Sequence, residues 1–157
     1  MFDGCENYNQ RLPWHTPRLR TVGAMFSGCT KFNQDLSTFD TSRVTDMSQM
    51  FAYCAAFDQD LSSWNVARVK HMDQMFVNCN SFNGNISNWD VRRVESAVEM
   101  FMGARAFAGN LNSWDVRGFD SFFDIFANAD SMTSDLVADW ETAHTEDYIA
   151  PPPPPTV

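Results

Sequence analysis

The 157 residues point to an α/β solenoid of about six 25-residue coils, each with a short parallel strand and a short helix. Repetition is the first reason. A Met-Phe pair recurs at Met1-Phe2, Met25-Phe26, Met50-Phe51, Met75-Phe76 and Met100-Phe101, and Ile125-Phe126 is an altered sixth copy. The first interval is 24 residues and the rest are 25, a period that marks stacked supersecondary units. Two different apolar spacings within each unit are the second reason. The third is that aligned copies place like residues in columns, as neighbours stacked on neighbours require.

The copy that starts at Met50 shows both spacings. Its Leu61, Trp64 and Val66 follow Leu-x-x-Trp-x-Val, the spacing of a leucine-rich-repeat strand, and aromatic and β-branched residues favour that state. Beyond it, Val69, Met72, Met75, Phe76, Cys79 and Phe82 step by three, three, one, three and three, the interval of a helical face. Each coil is therefore expected to hold a strand, a corner and about two turns of helix. Repeats start near residues 1, 25, 50, 75, 100 and 125 and fill 1–140, leaving 141–157 as an acidic cap and a polyproline tail.

Stacking turns columns into ladders. One is Phe2, Phe26, Phe51, Phe76, Phe101 and Phe126; a second is Phe39, Trp64, Trp89 and Trp114; a third is Leu12, Leu36, Leu61, Ile86, Leu111 and Leu136. On a strand spacing of roughly 4.8 Å the aromatics of adjacent coils can stack offset.

The phrase Met-Phe-x-x-Cys-x-x-Phe-Asn-Gln-Asp-Leu-Ser-x-Trp-Asp-Val is clearest in "FNQDLSTFDTSRVTDMSQMF" (32–51) and "FNGNISNWDVRRV" (82–94). It resembles the BspA-like leucine-rich-repeat family in its mycoplasma lipoprotein-associated 25-residue form. The resemblance covers most of the chain and weakens at "RLPWHTPRLR" (11–20) and "SMTSDLVADW" (131–140). It implies a surface or secreted protein that serves adhesion or binding, often as one module of a larger chain, with no common enzymatic activity.

Charge and length narrow the function classes. Up to Gly118 the chain has 12 acidic and 11 basic residues, so the remaining eight acids supply nearly all of the net charge of -9. That balance argues against a nucleic-acid partner, which needs a basic footprint. No apolar run approaches the roughly 20 residues of a membrane-spanning helix.

Several columns could carry chemistry. Cys5, Cys29, Cys54 and Cys79 share one column that Ala104 and Ala129 continue, which favours small, buried, reduced thiols over disulfides or a metal site. Asn33, Asp58 and Asn83, then Asp35, Asp60, Asn85, Asn110 and Asp135, then Asp40, Asn65, Asp90 and Asp115, could hold calcium; corner hydrogen bonding is the favoured reading, because Asn replaces Asp freely. His15, His71 and His144 accompany no nucleophile motif. Arg43, Arg68 and Arg93 form a basic column, either balancing charge between coils or recognising an acidic partner. The chain opens within a repeat, so Phe2, Tyr8 and Leu12 are expected to form an open docking end. The tail "PPPPPTV" reads as a spacer or as a ligand for an aromatic groove.

The expected function is a non-catalytic protein- or glycan-interaction module, at the cell surface or secreted as the resemblance implies, with a structural subunit of a larger assembly as the alternative. The expected partner is a protein, a glycan, or another copy at the N-terminal end. No enzyme activity, cofactor or metal is expected. An ice-binding surface would need a flat Thr column, and the pairs Ser37-Thr38, Ser62-Ser63, Ser87-Asn88 and Asn112-Ser113 are too mixed.

Overall fold

The computed structural model describes residues 1–12, 16, 18–140 and 151–153. His15, His144 and most of the expected acidic cap and polyproline tail lie outside the described residues. The copies do stack, but the expected α/β solenoid does not form. Among the described residues there is no α-helix and no extended strand; regular structure is one 3-10 segment, Ser134–Trp140, and isolated parallel bridges. The bridges run Thr21 to Asp46, Asp46 to His71, His71 to Ser96 and Ser96 to Ser121, one per step of the array.

The reason is the spacing of three, which a chain of tight turns shares with a helix. In one coil the N–H groups of Met50, Cys54, Phe57, Trp64 and Val69 donate to the carbonyls three residues earlier, at 2.8–3.1 Å. Each such turn sets two apolar residues at its ends, and these are the residues that point inward. The stretch read as a strand is thus a turn closed by Trp64 N–H on Leu61 O (3.0 Å), and the stretch read as a helix is a string of turns.

Intervening amides leave the coil instead. Met47, Gln49, Phe51 and Tyr53 donate to His71, Asp73, Met75 and Val77 of the next coil at 2.8–3.0 Å. Two left-handed residues per coil make this alternation possible and forbid a helix. Gln49 (φ 59°), Gln74 (55°) and Glu99 (54°) hold one such column, and Gly28 (70°), Tyr53 (62°), Asn78 (56°), Gly103 (71°) and Asn128 (58°) hold the other. Gly and Asn tolerate that region, which accounts for most of the second column.

The core is a set of ring ladders. Phe26, Phe51, Phe76 and Phe101 follow one another at 5.6–5.7 Å, nearly parallel. Beside them Phe32, Phe57, Phe82 and Phe107 stack at 5.7–6.0 Å, and within a coil the two ladders touch, as Phe51 and Phe57 do at 4.0 Å. Trp64, Trp89 and Trp114 form the third stack, at 6.2–6.4 Å. Each indole also donates to the preceding coil: Trp64 to Leu36 O, Trp89 to Leu61 O and Trp114 to Ile86 O, at 3.0–3.1 Å. The ring ladders expected from the sequence are thus present, though among the described residues no strand carries them.

The degenerate sixth copy packs on the fifth. Trp140, at the end of the 3-10 segment, stacks on Trp114 at 6.1 Å and donates to Leu111 O at 3.0 Å, completing the indole column. Ser134 N–H donates to Pro152 O at 2.9 Å, and Pro151 is buried, so this part of the tail lies against the last coil.

Candidate functional site

Most polar columns are occupied in holding the stack. The thiols of Cys29, Cys54 and Cys79 donate to Phe2 O, Phe26 O and Phe51 O at 2.7–3.0 Å. All three are reduced and buried, and burial pushes the Cys54 thiol up to about 12 and Cys79 well above its ordinary value. Such thiols are poor nucleophiles. Cys5, in the first coil, is free but exposed.

The Asx columns bond corner backbone in two ways. Asn33 Oδ1 accepts from Asp58 N–H, Asp58 Oδ1 from Asn83 N–H and Asn83 Oδ1 from Ala108 N–H, at 2.8–3.0 Å, tying coil to coil. Asp35, Asp60, Asn85 and Asn110 instead accept from the N–H two residues on, at 2.7–3.1 Å, closing a turn within the coil. Asp40, Asn65, Asp90 and Asp115 do the same at 3.0–3.3 Å.

The basic corner follows a different pattern. Arg43, Arg68 and Arg93 are exposed, and they occupy the position three residues before the bridge residues Asp46, His71 and Ser96. Arg68 and Arg93 come together in one open hollow, lined also by Ala67, Lys70, Asp90 and Arg92, with Glu95 at its edge. Arg43 is not part of the lining. Ala67 makes the hollow: the same column holds Ser42 before it and Arg92 and Arg117 after it, so the small side chain leaves a gap.

Both carboxylates of the hollow are already held. Asp90 takes Arg92 in a fork, Nε to Oδ1 at 2.8 Å and Nη2 to Oδ2 at 2.7 Å, and that hydrogen bonding keeps its carboxyl below the usual range. Glu95 takes Lys70 Nζ at 2.5 Å and is lowered by that bond. One coil further, Arg117 grips Asp115 in the same fork at 2.6–2.7 Å and holds its carboxyl at about 2. Arg68 and Arg93 make no side-chain hydrogen bond or ion pair among the described residues. Four cations against two carboxylates leave the hollow at +2 on a chain of net charge -9.

Lys70, Arg92 and Ala67 escaped the sequence reading because they stand in columns of mixed identity. The doublet Arg92-Arg93 and the pair Arg68-x-Lys70 were the available signals. At the other end, Phe2 stacks on Tyr8 at 4.1 Å and on Phe26 at 5.6 Å, and Tyr8 on Phe32 at 6.0 Å. Both are half-buried, with Leu12 fully within the core. Among the described residues no helix is long and apolar enough to cross a membrane.

No curated protein matches the chain. The sequence pattern of one family, described as Mycoplasma protein of unknown function DUF285, matches residues 1–76 and 61–150, and this agrees with the mycoplasma-type repeat that the sequence resembles. Stacked 25-residue turns bearing in-register polar columns are thus the form taken here by a member of the Mycoplasma DUF285 family, to which this chain belongs.

Proposed function

We propose that the chain is a non-catalytic interaction module, acting in adhesion or binding at a surface as its resemblance to BspA-like repeats implies. The reading rests on one observation: the repeated polar columns are spent on internal hydrogen bonds, while Arg68 and Arg93, with no side-chain hydrogen bond or ion pair among the described residues, line a hollow that spans two coils. Repeat arrays present extended, rigid surfaces, and a backbone fixed by a stacked core needs no reordering when a partner docks.

The test is binding by the purified chain to a panel of immobilised polymers: polyglutamate, heparin, dextran and polylysine. Saturable binding to one or more supports a module. No binding, combined with recovery from its source in fixed ratio with other chains, overturns it in favour of a structural subunit.

A further inference from the structure

We infer that the hollow between Arg68 and Arg93 is a docking site for an extended, carboxylate-rich polypeptide, an assignment that rests on the interaction-module reading. The corner is built for carboxylates. Arg92 and Arg117 each hold one there by the two-point fork that planar guanidinium and carboxylate groups form. Arg68 and Arg93 carry the same group, on adjacent coils, and neither forms a fork among the described residues. The Asx position that supplies the acid in the Arg92 and Arg117 coils is Asn65 in the Arg68 coil, so that coil lacks its own carboxylate there.

Spacing suits a peptide. Neighbouring coils joined by a parallel bridge lie about 4.8 Å apart, and side chains on one side of an extended peptide recur about every 6.8 Å. Two flexible arginine stems can span that difference. The site also has a defined end, since the column passes from Arg93 to Gly118, where a Cβ would sit 2.9 Å from Arg92 O.

A nucleic acid fits poorly. Its charge density, about one per 1.7 Å along a duplex, calls for a longer basic footprint than the four cations gathered at this hollow. The exposed rings among the described residues, Tyr53 and Phe123, are not among the residues lining the hollow, so it offers no stacking platform for bases.

The experiment measures fluorescence anisotropy of a labelled twelve-residue polyglutamate peptide with the full chain, beside polyglutamine, heparin and single-stranded DNA. The glutamate peptide is expected to bind, and binding should weaken as salt rises from about 0.05 to about 0.3 M. Arg68→Ala with Arg93→Ala should weaken it about tenfold. Arg68→Lys with Arg93→Lys should weaken it less but measurably, because the charge stays and the fork is lost. Arg105→Ala, a surface arginine outside the hollow, should leave it unchanged. Thermal melts of each variant should match the parent, since both arginines are exposed. The proposal is overturned if the glutamate peptide does not saturate, if the double alanine variant binds as well as the parent, or if heparin or DNA binds more tightly. In any of those cases, saturable binding of another panel polymer leaves the module reading intact, whereas absence of all binding removes both.

Discussion

Replacing Trp89 measures how far the array depends on its indole column. Trp89 is 3% exposed, stacks on Trp64 at 6.4 Å and on Trp114 at 6.2 Å, and donates Nε1–H to Leu61 O at 3.0 Å. Truncation to Ala opens a cavity in a close-packed stack, and large core aromatics cost about 3–5 kcal/mol on such a change. Trp89→Phe separates the ring from its polar handle. Phe39 already occupies this column and stacks on Trp64 at 6.4 Å, so a phenyl ring fits. Leu61 O keeps the turn bond from Trp64 N–H at 3.0 Å, so the substitution removes one net hydrogen bond without orphaning the carbonyl. That loss is about 0.5–1.5 kcal/mol, to which the lost ring area adds. Arg93→Ala, on the exposed corner, should stay within about 0.5 kcal/mol.

Urea unfolding followed by tryptophan fluorescence and circular dichroism ranks the three. The expected order of midpoints is parent and Arg93→Ala together, then Trp89→Phe, then Trp89→Ala well below. Repeat arrays depend on nearest-neighbour interfaces, so a lesion in a central coil weakens both flanks, and the Ala variant is expected to show a broader transition. Equal midpoints for Trp89→Ala and Arg93→Ala would mean that the indole column does not hold the array together, and the account of the core given above would be wrong.

Other consequences can be read separately. Thiol labelling of the native protein should modify Cys5 rapidly and Cys29, Cys54 and Cys79 only in denaturant, because only Cys5 is exposed; rapid native labelling at more than one site by mass spectrometry would contradict the buried ladder. Tyr53 sits at φ 62° with its ring half exposed, while Asn78 and Asn128 hold the equivalent position, so Tyr53→Asn should raise stability by about 1 kcal/mol in the same urea assay. Asp115 has a folded pKa of about 2, below the ordinary carboxylate value, so its ion pair with Arg117 contributes fully above the unfolded value and is lost as pH falls through about 2. Carbon-detected NMR titration should show this, and Arg117→Ala should return the Asp115 midpoint toward the ordinary range.

The apolar columns were legible in the sequence because the period is strict and those columns keep their residue type. Phe51, Phe76 and Phe101 could be aligned without knowing what backbone carried them, and so could Trp64, Trp89 and Trp114. The backbone itself was not legible from the apolar pattern, since steps of three serve a helix and a chain of turns equally well. The discriminating signal lay in another column: Gly4, Gly28, Tyr53, Asn78, Gly103 and Asn128 are mostly residues that accept left-handed backbone, and a helix crossing that position would have to include glycine repeatedly. The companion column of Ala24, Gln49, Gln74, Glu99 and Asp124 carried no such mark, because several of its members favour helices. Their conformation is imposed by bonds between coils, such as Gln49 N–H on Asp73 O and Gln74 N–H on Val98 O, which exist only once the next coil is in place. The arginines divide in two steps. Sequence alone singles out Arg68 and Arg93 by their shared column and passes over Arg92; the local turn gives Arg92 to Asp90 two residues earlier, and stacking brings Arg68 and Arg93 to one hollow beside Ala67. A surface of this kind belongs to the stack and to no single repeat, and any partner that reads Arg68 and Arg93 together is reading the contact between two coils.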